Sequence, residues 1–287
     1  MVHAVHTAPL LALFALGVAG GATYSKDCSV PNTGPVLTSC ASQPAVYSCE
    51  NTAPIKDTCC SPTPGGLVLA TQFWSTYTGL ENKKQKLPKG AWTIHGLWPD
   101  NCDGSYEQYC DLSRQFDPKP SPAKFPDGTV IPAYKGPGRR RHQRVSYVGQ
   151  FSKHATCTST FDVKCYGPSY KKNQDVINYF DAAIRAYHLF PTFDVLAASG
   201  IVPSNKTTYS LAQFERALAA QFGTTPYLGC TNNGTVLSEV WYFNHVLGTE
   251  QYGSYKPLNS TSPSSCTKTG KIWYYERSKN SEQEVRK

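Results

Sequence analysis

A chain of 287 residues with no long linker in its middle points to one domain. Its formal charge of +8 favours a polyanionic partner, because Lys and Arg gain by releasing counterions from phosphates, although a solvated basic surface gives the same balance. Beyond the N-terminus no stretch approaches the roughly 18 to 20 apolar residues of a membrane helix, so a soluble protein with no membrane partner is expected.

In chain order, the first element is a leader. Leu10 to Val18 is apolar and runs into Ala19, Gly20, Gly21 and Ala22, the pattern of a secretory signal peptide over residues 1–22. The n-region ahead of this stretch carries no Lys or Arg, only His3, His6 and the amino terminus. Residues 24–66 are rich in Cys, Pro, Ser and Thr without a period, which predicts loops pinned by disulfides. Gly66 to Trp74 and Ala91 to Trp98 are compact, β-prone apolar runs, and each predicts a buried strand. Asp111 to Arg144 turns to Pro, Gly and basic residues and predicts a long loop; Arg139 to Val148 is basic and aperiodic.

Past Cys165 the pattern becomes helical. Val176, Phe180, Ala183 and Tyr187 recur at helix spacing, and a second apolar turn precedes Gly200 and Pro203. Ser210 with Gln213 forms a capping box ahead of Leu211, Phe214, Leu218 and Phe222, with Gly223 as the stop. Val236 to Leu247 predicts a central strand, and the charged, Ser-rich tail from Glu276 to Lys287 predicts disorder. Helices in one block with strands on either side predict an α+β fold.

Eleven cysteines, among them the cluster Cys28, Cys40, Cys49, Cys59 and Cys60, suit an oxidising compartment. No Cys-x-x-Cys pair is followed by a second at ligand spacing, so bridges are expected and a metal site is not. Sequons at Asn205, Asn233 and Asn259 fit the same secretory route.

Chemistry near neutral pH usually recruits His, and the seven histidines sort readily. His3 and His6 lie in the leader, His142 in the basic loop, His188 on the amphipathic helix and His245 within a strand; packing or solvation accounts for each. His95 and His154 differ. His95 sits in Trp92-Thr93-Ile94-His95-Gly96-Leu97-Trp98-Pro99-Asp100, a strand running into a turn. His154 sits in Lys153-His154-Ala155-Thr156-Cys157, with a cation beside it, which suits an anionic substrate.

Trp92 to Cys102 closely resembles the first catalytic segment of the ribonuclease T2 family, and Lys153 to Cys157 resembles the end of its second. The Cys59-Cys60 pair and Ser238-Glu239-Val240 resemble the secreted fungal members. The resemblance implies a disulfide-stapled domain over residues 23–275, with a central antiparallel sheet and flanking helices. It also implies cleavage of single-stranded RNA without metal or cofactor, by a monomer that is secreted or vacuolar. His95 and His154 would be the acid–base pair, with His154 as base, and Lys153 would stabilise phosphoryl charge. Trp98, Asp100 and Tyr106 would cradle a base, and Gln72 would line the neighbouring base pocket. The implied bridges are Cys49 with Cys102, Cys59 with Cys165, Cys110 with Cys157, Cys230 with Cys266, and Cys60 with Cys40 or Cys28.

The second segment departs from the family pattern of His-Glu, two residues, then Lys-His. Gly149 stands at the phosphate-binding His position and Gln150 at the carboxylate position, which predicts a reduced rate. The match stops abruptly before Phe151 and resumes after it, as a misplaced exon boundary would produce. A catalytically silent RNA- or protein-binding member of the same fold is the competing reading.

Overall fold

The structure is a computed structural model that describes residue 40 and residues 46–51, 54–136 and 145–284. The leader, Cys28, His142 and the run Arg139 to Arg144 lie outside the described residues. The three most apolar runs form the heart of the sheet: β1 (Leu67–Phe73), β3 (Thr93–Asp100) and β6 (Val236–Leu247). β1 pairs antiparallel with β3 on one side and β6 on the other, and Leu67 to Gln72 are all buried. A strand covered on both faces has no polar side to present, which is why its sequence runs apolar rather than alternating.

β5 (Tyr227–Thr231) and β7 (Ser254–Leu258) also pair antiparallel with β6. β8 (Ile272–Trp273) meets β6 in a parallel register at Val236, and β4 (Thr208–Tyr209) pairs antiparallel with β8. The long ladders of this seven-stranded sheet are therefore antiparallel, as expected, and β8 makes it mixed. A separate two-stranded parallel pair joins β2 (Leu87–Pro88) to β9 (Glu282–Gln283).

The two-residue period of β6 sorts its side chains onto two faces. Val240, Tyr242 and Val246 enter the main core with Tyr179, Ala182 and Ala186 of α2 (Gln174–Leu189) and Phe214 and Leu218 of α4 (Leu211–Phe222). Phe190, after α2, stacks on Tyr242 with ring centroids 4.1 Å apart. α3 (Thr192–Ala198) contributes Val195 and Leu196 to the same core. The opposite face carries a smaller cluster of Leu67, Leu69 and Phe243 with Trp98, Tyr227 and Trp241 around it. The capping box on α4 forms as the sequence predicts: Gln213 N donates to Ser210 Oγ, Ser210 N donates to Gln213 Oε1, and Gly223 ends the helix at φ 75°.

Two expectations are corrected. The stretch Arg139 to Val148 shows no helical period, yet α1 (Val145–Lys153) already includes Val145 to Val148. Its helicity is set by tertiary anchors at its far end, where Phe151 is wholly buried, rather than by a repeat in its first turn. The tail after Glu276 is not disordered through residue 284. The Arg277 guanidinium lies 3.9 Å above Trp74 and donates to the carbonyls of Ser75, Pro88 and Ala91, and β9 then pairs with β2. Composition cannot show that one cation will satisfy three loop carbonyls.

Among the described residues five bridges close the scaffold: Cys40–Cys60, Cys49–Cys102, Cys59–Cys165, Cys110–Cys157 and Cys230–Cys266. Cys40 is thus the partner of Cys60. Replacing both Cys110 and Cys157 by Ser is expected to cost about 2–4 kcal/mol, read as a lower urea midpoint, because the bridge restricts the unfolded chain. An unchanged midpoint would show that the Tyr109 N to Lys153 O hydrogen bond, 3.0 Å long, holds the segment unaided.

Candidate active site

β3 is the edge strand of the sheet, so a residue there can face solvent while its neighbours stay paired. Thr71 pairs with Gly96 and Gln72 with Ile94, leaving His95 as the extra residue of a β-bulge. A bulge re-aims a side chain without ending the strand. His95 lies on the face away from the helical core, stacked on Phe73 with centroids 3.6 Å apart.

α1 delivers the second imidazole. Phe151 enters the core, and His154, just past the helix end, is 9% exposed. The Trp98 indole meets both histidines: His154 stacks on it at 5.2 Å and His95 meets it edge-on at 4.7 Å. Two rings distant in sequence therefore share one aromatic support. Lys153, half-buried, is close enough to lower both imidazoles electrostatically.

Burial is the main cause of the titration behaviour. It brings His95 down to about 3, with Lys153 adding to the effect, and holds His154 well below the usual imidazole range, helped by Lys153 and then His95. Both shifts favour the neutral imidazole. Lys153 is also lowered by burial, and Asp117 opposes that shift.

Gln150 points into the site and accepts a 3.0 Å hydrogen bond from Trp98 Nε1. Gly96 makes this approach possible, since a Cβ there would lie 2.1 Å from Gln150 Oε1. Asp100, at the end of β3, is raised by burial to about 7, and Tyr106, bridged to its backbone, is 65% exposed. Trp98, Asp100 and Tyr106 lie along one end of β3, but Trp98 is a less open platform than expected, with one face against His154 and Trp241 packed against it at 5.2 Å.

Gln72 does not join them. It is buried on the core face, where its Nε2 donates to Phe190 O at 2.8 Å and its Oε1 accepts from the Thr192 hydroxyl at 2.7 Å. Its polar character serves the core rather than a base pocket.

Two acidic residues were not assigned roles from sequence. Glu239 of β6 pairs across from Phe73 and places Oε2 3.8 Å from His95 Nδ1, while accepting from Trp241 Nε1 at 2.8 Å. Asp117, on the loop before α1, stands against Gly149. Strand parity in β6 could have placed Glu239 on the His95 face, whereas nothing local to Asp117 reveals its partner. Among the described residues no group of three or more His, Cys, Asp or Glu side chains is placed to hold a metal ion, and no helix is long and apolar enough to cross a membrane. All three sequon asparagines, Asn205, Asn233 and Asn259, are exposed.

These features define a disulfide-stapled α+β protein with a paired-imidazole site at a sheet edge. The chain belongs to the ribonuclease T2 family, whose model matches residues 65–270. It is 33% identical over 276 residues to ribonuclease T2 of Aspergillus oryzae, covering 95% of this chain and 92% of that protein. A ribonuclease T2-like protein of Debaryomyces hansenii is 35% identical over 76% of this chain, which spans 54% of that longer relative. The crystal structure of Actibind, a T2 ribonuclease, matches with a TM-score of 0.65 at 31% identity, covering 82% of this chain and 96% of that one. Membership of this family supports an endoribonuclease activity on RNA.

Proposed function

We propose that this chain cleaves single-stranded RNA by transphosphorylation, with His154 as general base and His95 as general acid. The observation that carries this reading is the placement of both imidazoles on one indole beside Lys153. Neutral His154 takes the ribose 2′-OH proton, the 2′-oxygen attacks the adjacent phosphorus, the bond to the 5′-oxygen breaks, and protonated His95 gives that oxygen its proton. The products end in a 2′,3′-cyclic phosphate and a free 5′-OH. Lys153 stabilises the negative charge that grows on the phosphoryl oxygens.

His95 must be charged to act as the acid. A bound phosphodiester and the Glu239 carboxylate both favour the imidazolium, and low pH favours it further, so activity is expected on the acidic side. Asp100, Tyr106 and the open part of Trp98 hold a base, with stacking that tolerates any base. Exposed sequons, the bridges and the leader pattern support a secreted or vacuolar glycoprotein.

The test is incubation with single-stranded RNA and with DNA of the same sequence. RNA alone is expected to be cut, since DNA lacks the attacking hydroxyl; cutting of both would sink the mechanism. Burial that holds Asp100 near 7 leaves a neutral acid able to donate to a base below that pH. KM for a dinucleotide is therefore expected to rise as pH passes 7, and Asp100→Asn, which keeps a donor, to flatten that rise. A KM that falls with pH would mean that the carboxylate is the binding form.

The Gln150 amide, occupied by Trp98 where the family carries a carboxylate, favours a second reading: a silent member that binds RNA or a protein partner without cutting. RNA binding with no cleavage across pH 4 to 7 would select it.

A further inference from the structure

α1 brings Lys153 and His154 into a largely desolvated site but supplies no carboxylate, since Val145–Lys153 contains neither Asp nor Glu. Burial disfavours an ammonium unless a negative charge stands near. A carboxylate does face this helix, from outside it. Asp117 Oδ2 lies 3.0 Å from the point where a Cβ on Gly149 would stand. Gly149 and Lys153 are four residues apart on one helix and therefore share a face, so Asp117 sits one turn from the Lys153 position.

Its placement is built into the loop. Phe116 N donates to Ser152 Oγ at 2.8 Å, and the Phe116 ring packs 6.0 Å from Phe151, which docks the chain on α1. Asp117 itself is 6% exposed, accepting from Tyr109 OH at 3.0 Å on Oδ2 and from Lys119 N at 2.8 Å on Oδ1. Tyr109 closes the circuit, because its own N–H donates to Lys153 O at 3.0 Å. Any side chain at position 149 would crowd the carboxylate, so Gly149 and Asp117 form a matched pair.

We propose that Asp117 is a positioning residue of this site, supplying through space the negative charge that Gln150 cannot and keeping Lys153 an ammonium directed at the scissile phosphate. This rests on the ribonuclease reading for its consequence, although not for its geometry. Among the described residues, the charged and titratable groups facing Lys153 are Asp117, His154 and His95; those facing Asp117 are Lys153 and Tyr109. Asp117 opposes the burial that lowers Lys153, whereas both imidazoles, when protonated, would add to it.

The first arm of the test reads Lys153 directly, by the pH dependence of its acetylation with acetic anhydride in the full chain, followed by peptide mapping. In Asp117→Asn the midpoint is expected to fall by about one pH unit, a 10-fold loss of proton affinity, and in Asp117→Glu to stay near the parent value. Should Asp117→Asn fail to fold, Tyr109→Phe releases the carboxylate without changing charge, and a smaller fall in the same direction is expected. An unchanged midpoint in the folded variant overturns the proposal. The second arm is a cycle on kcat: Gln150→Glu is expected to help several-fold more in Asp117→Asn than in the parent, because it returns the missing charge. Equal gains in both backgrounds overturn it as well. His154→Ala separates the two claims, since cleavage that survives it removes the site reading while the Lys153 titration still reports on Asp117.

Discussion

Replacing His154 by Ala is expected to lower kcat on single-stranded RNA by about 10²- to 10⁴-fold, and His95→Ala by a similar factor. In the proposed mechanism each ring handles one of the two proton transfers, and no other titratable group touches the Trp98 indole among the described aromatic contacts. Because the two act on one transition state, the double variant is expected to be little worse than either single one. KM should move far less than kcat in each case. A fully additive double variant would show that the rings serve separate steps. Loss of folding is a poor alternative for His95, whose bulged position already leaves its Nδ1 without a hydrogen-bond partner among the described residues.

Glu250→Gln is expected to change how stability depends on pH over several pH units. Glu250 is fully buried between β6 and β7, and neither carboxylate oxygen has a hydrogen-bond partner among the described residues. Burial raises it from 4.5 to about 8; the Thr158 hydroxyl and, more weakly, Arg185 oppose this only in part. The folded state therefore holds a proton that the unfolded state releases. The favourable contribution is complete below about pH 4.5 and declines as pH rises, until the folded carboxyl itself ionises near 8. Within that window the slope attributable to this group is about 1.4 kcal/mol per pH unit. Urea titrations from pH 4 to 8 are expected to show the stability difference between the parent and Glu250→Gln moving steadily against the parent as pH rises. Parallel profiles would mean that the carboxyl finds water or relaxes and titrates normally.

How much was legible in the sequence follows from where each partner lies. His95, Trp98 and Asp100 fall within one short strand, so their proximity needed only local reading, and His154 was marked by its own neighbours. The helices announced themselves through period and caps, as at Ser210 and Gln213. Gln72 was misplaced because its role depends on parity: the bulge at His95 lets that imidazole share a face with Phe73, while Gln72 turns to Phe190 and Thr192. Asp117 was invisible because its effect depends on Phe116 docking against Ser152 and Phe151, contacts made only on folding. Arg277 escaped for the same reason, since its worth comes from three carbonyls on distant turns. Local pattern identified elements and motif residues, whereas charge compensation and buried polar pairing emerged only with the tertiary structure.

The most direct test of the account is end-group analysis of the products formed from a single-stranded RNA at mildly acidic pH. Fragments ending in a 2′,3′-cyclic phosphate opposite a free 5′-OH, made by the parent chain and lost in His154→Ala, are the expected result. Fragments carrying a 5′-phosphate, or cyclic ends that persist undiminished in His154→Ala, would contradict it.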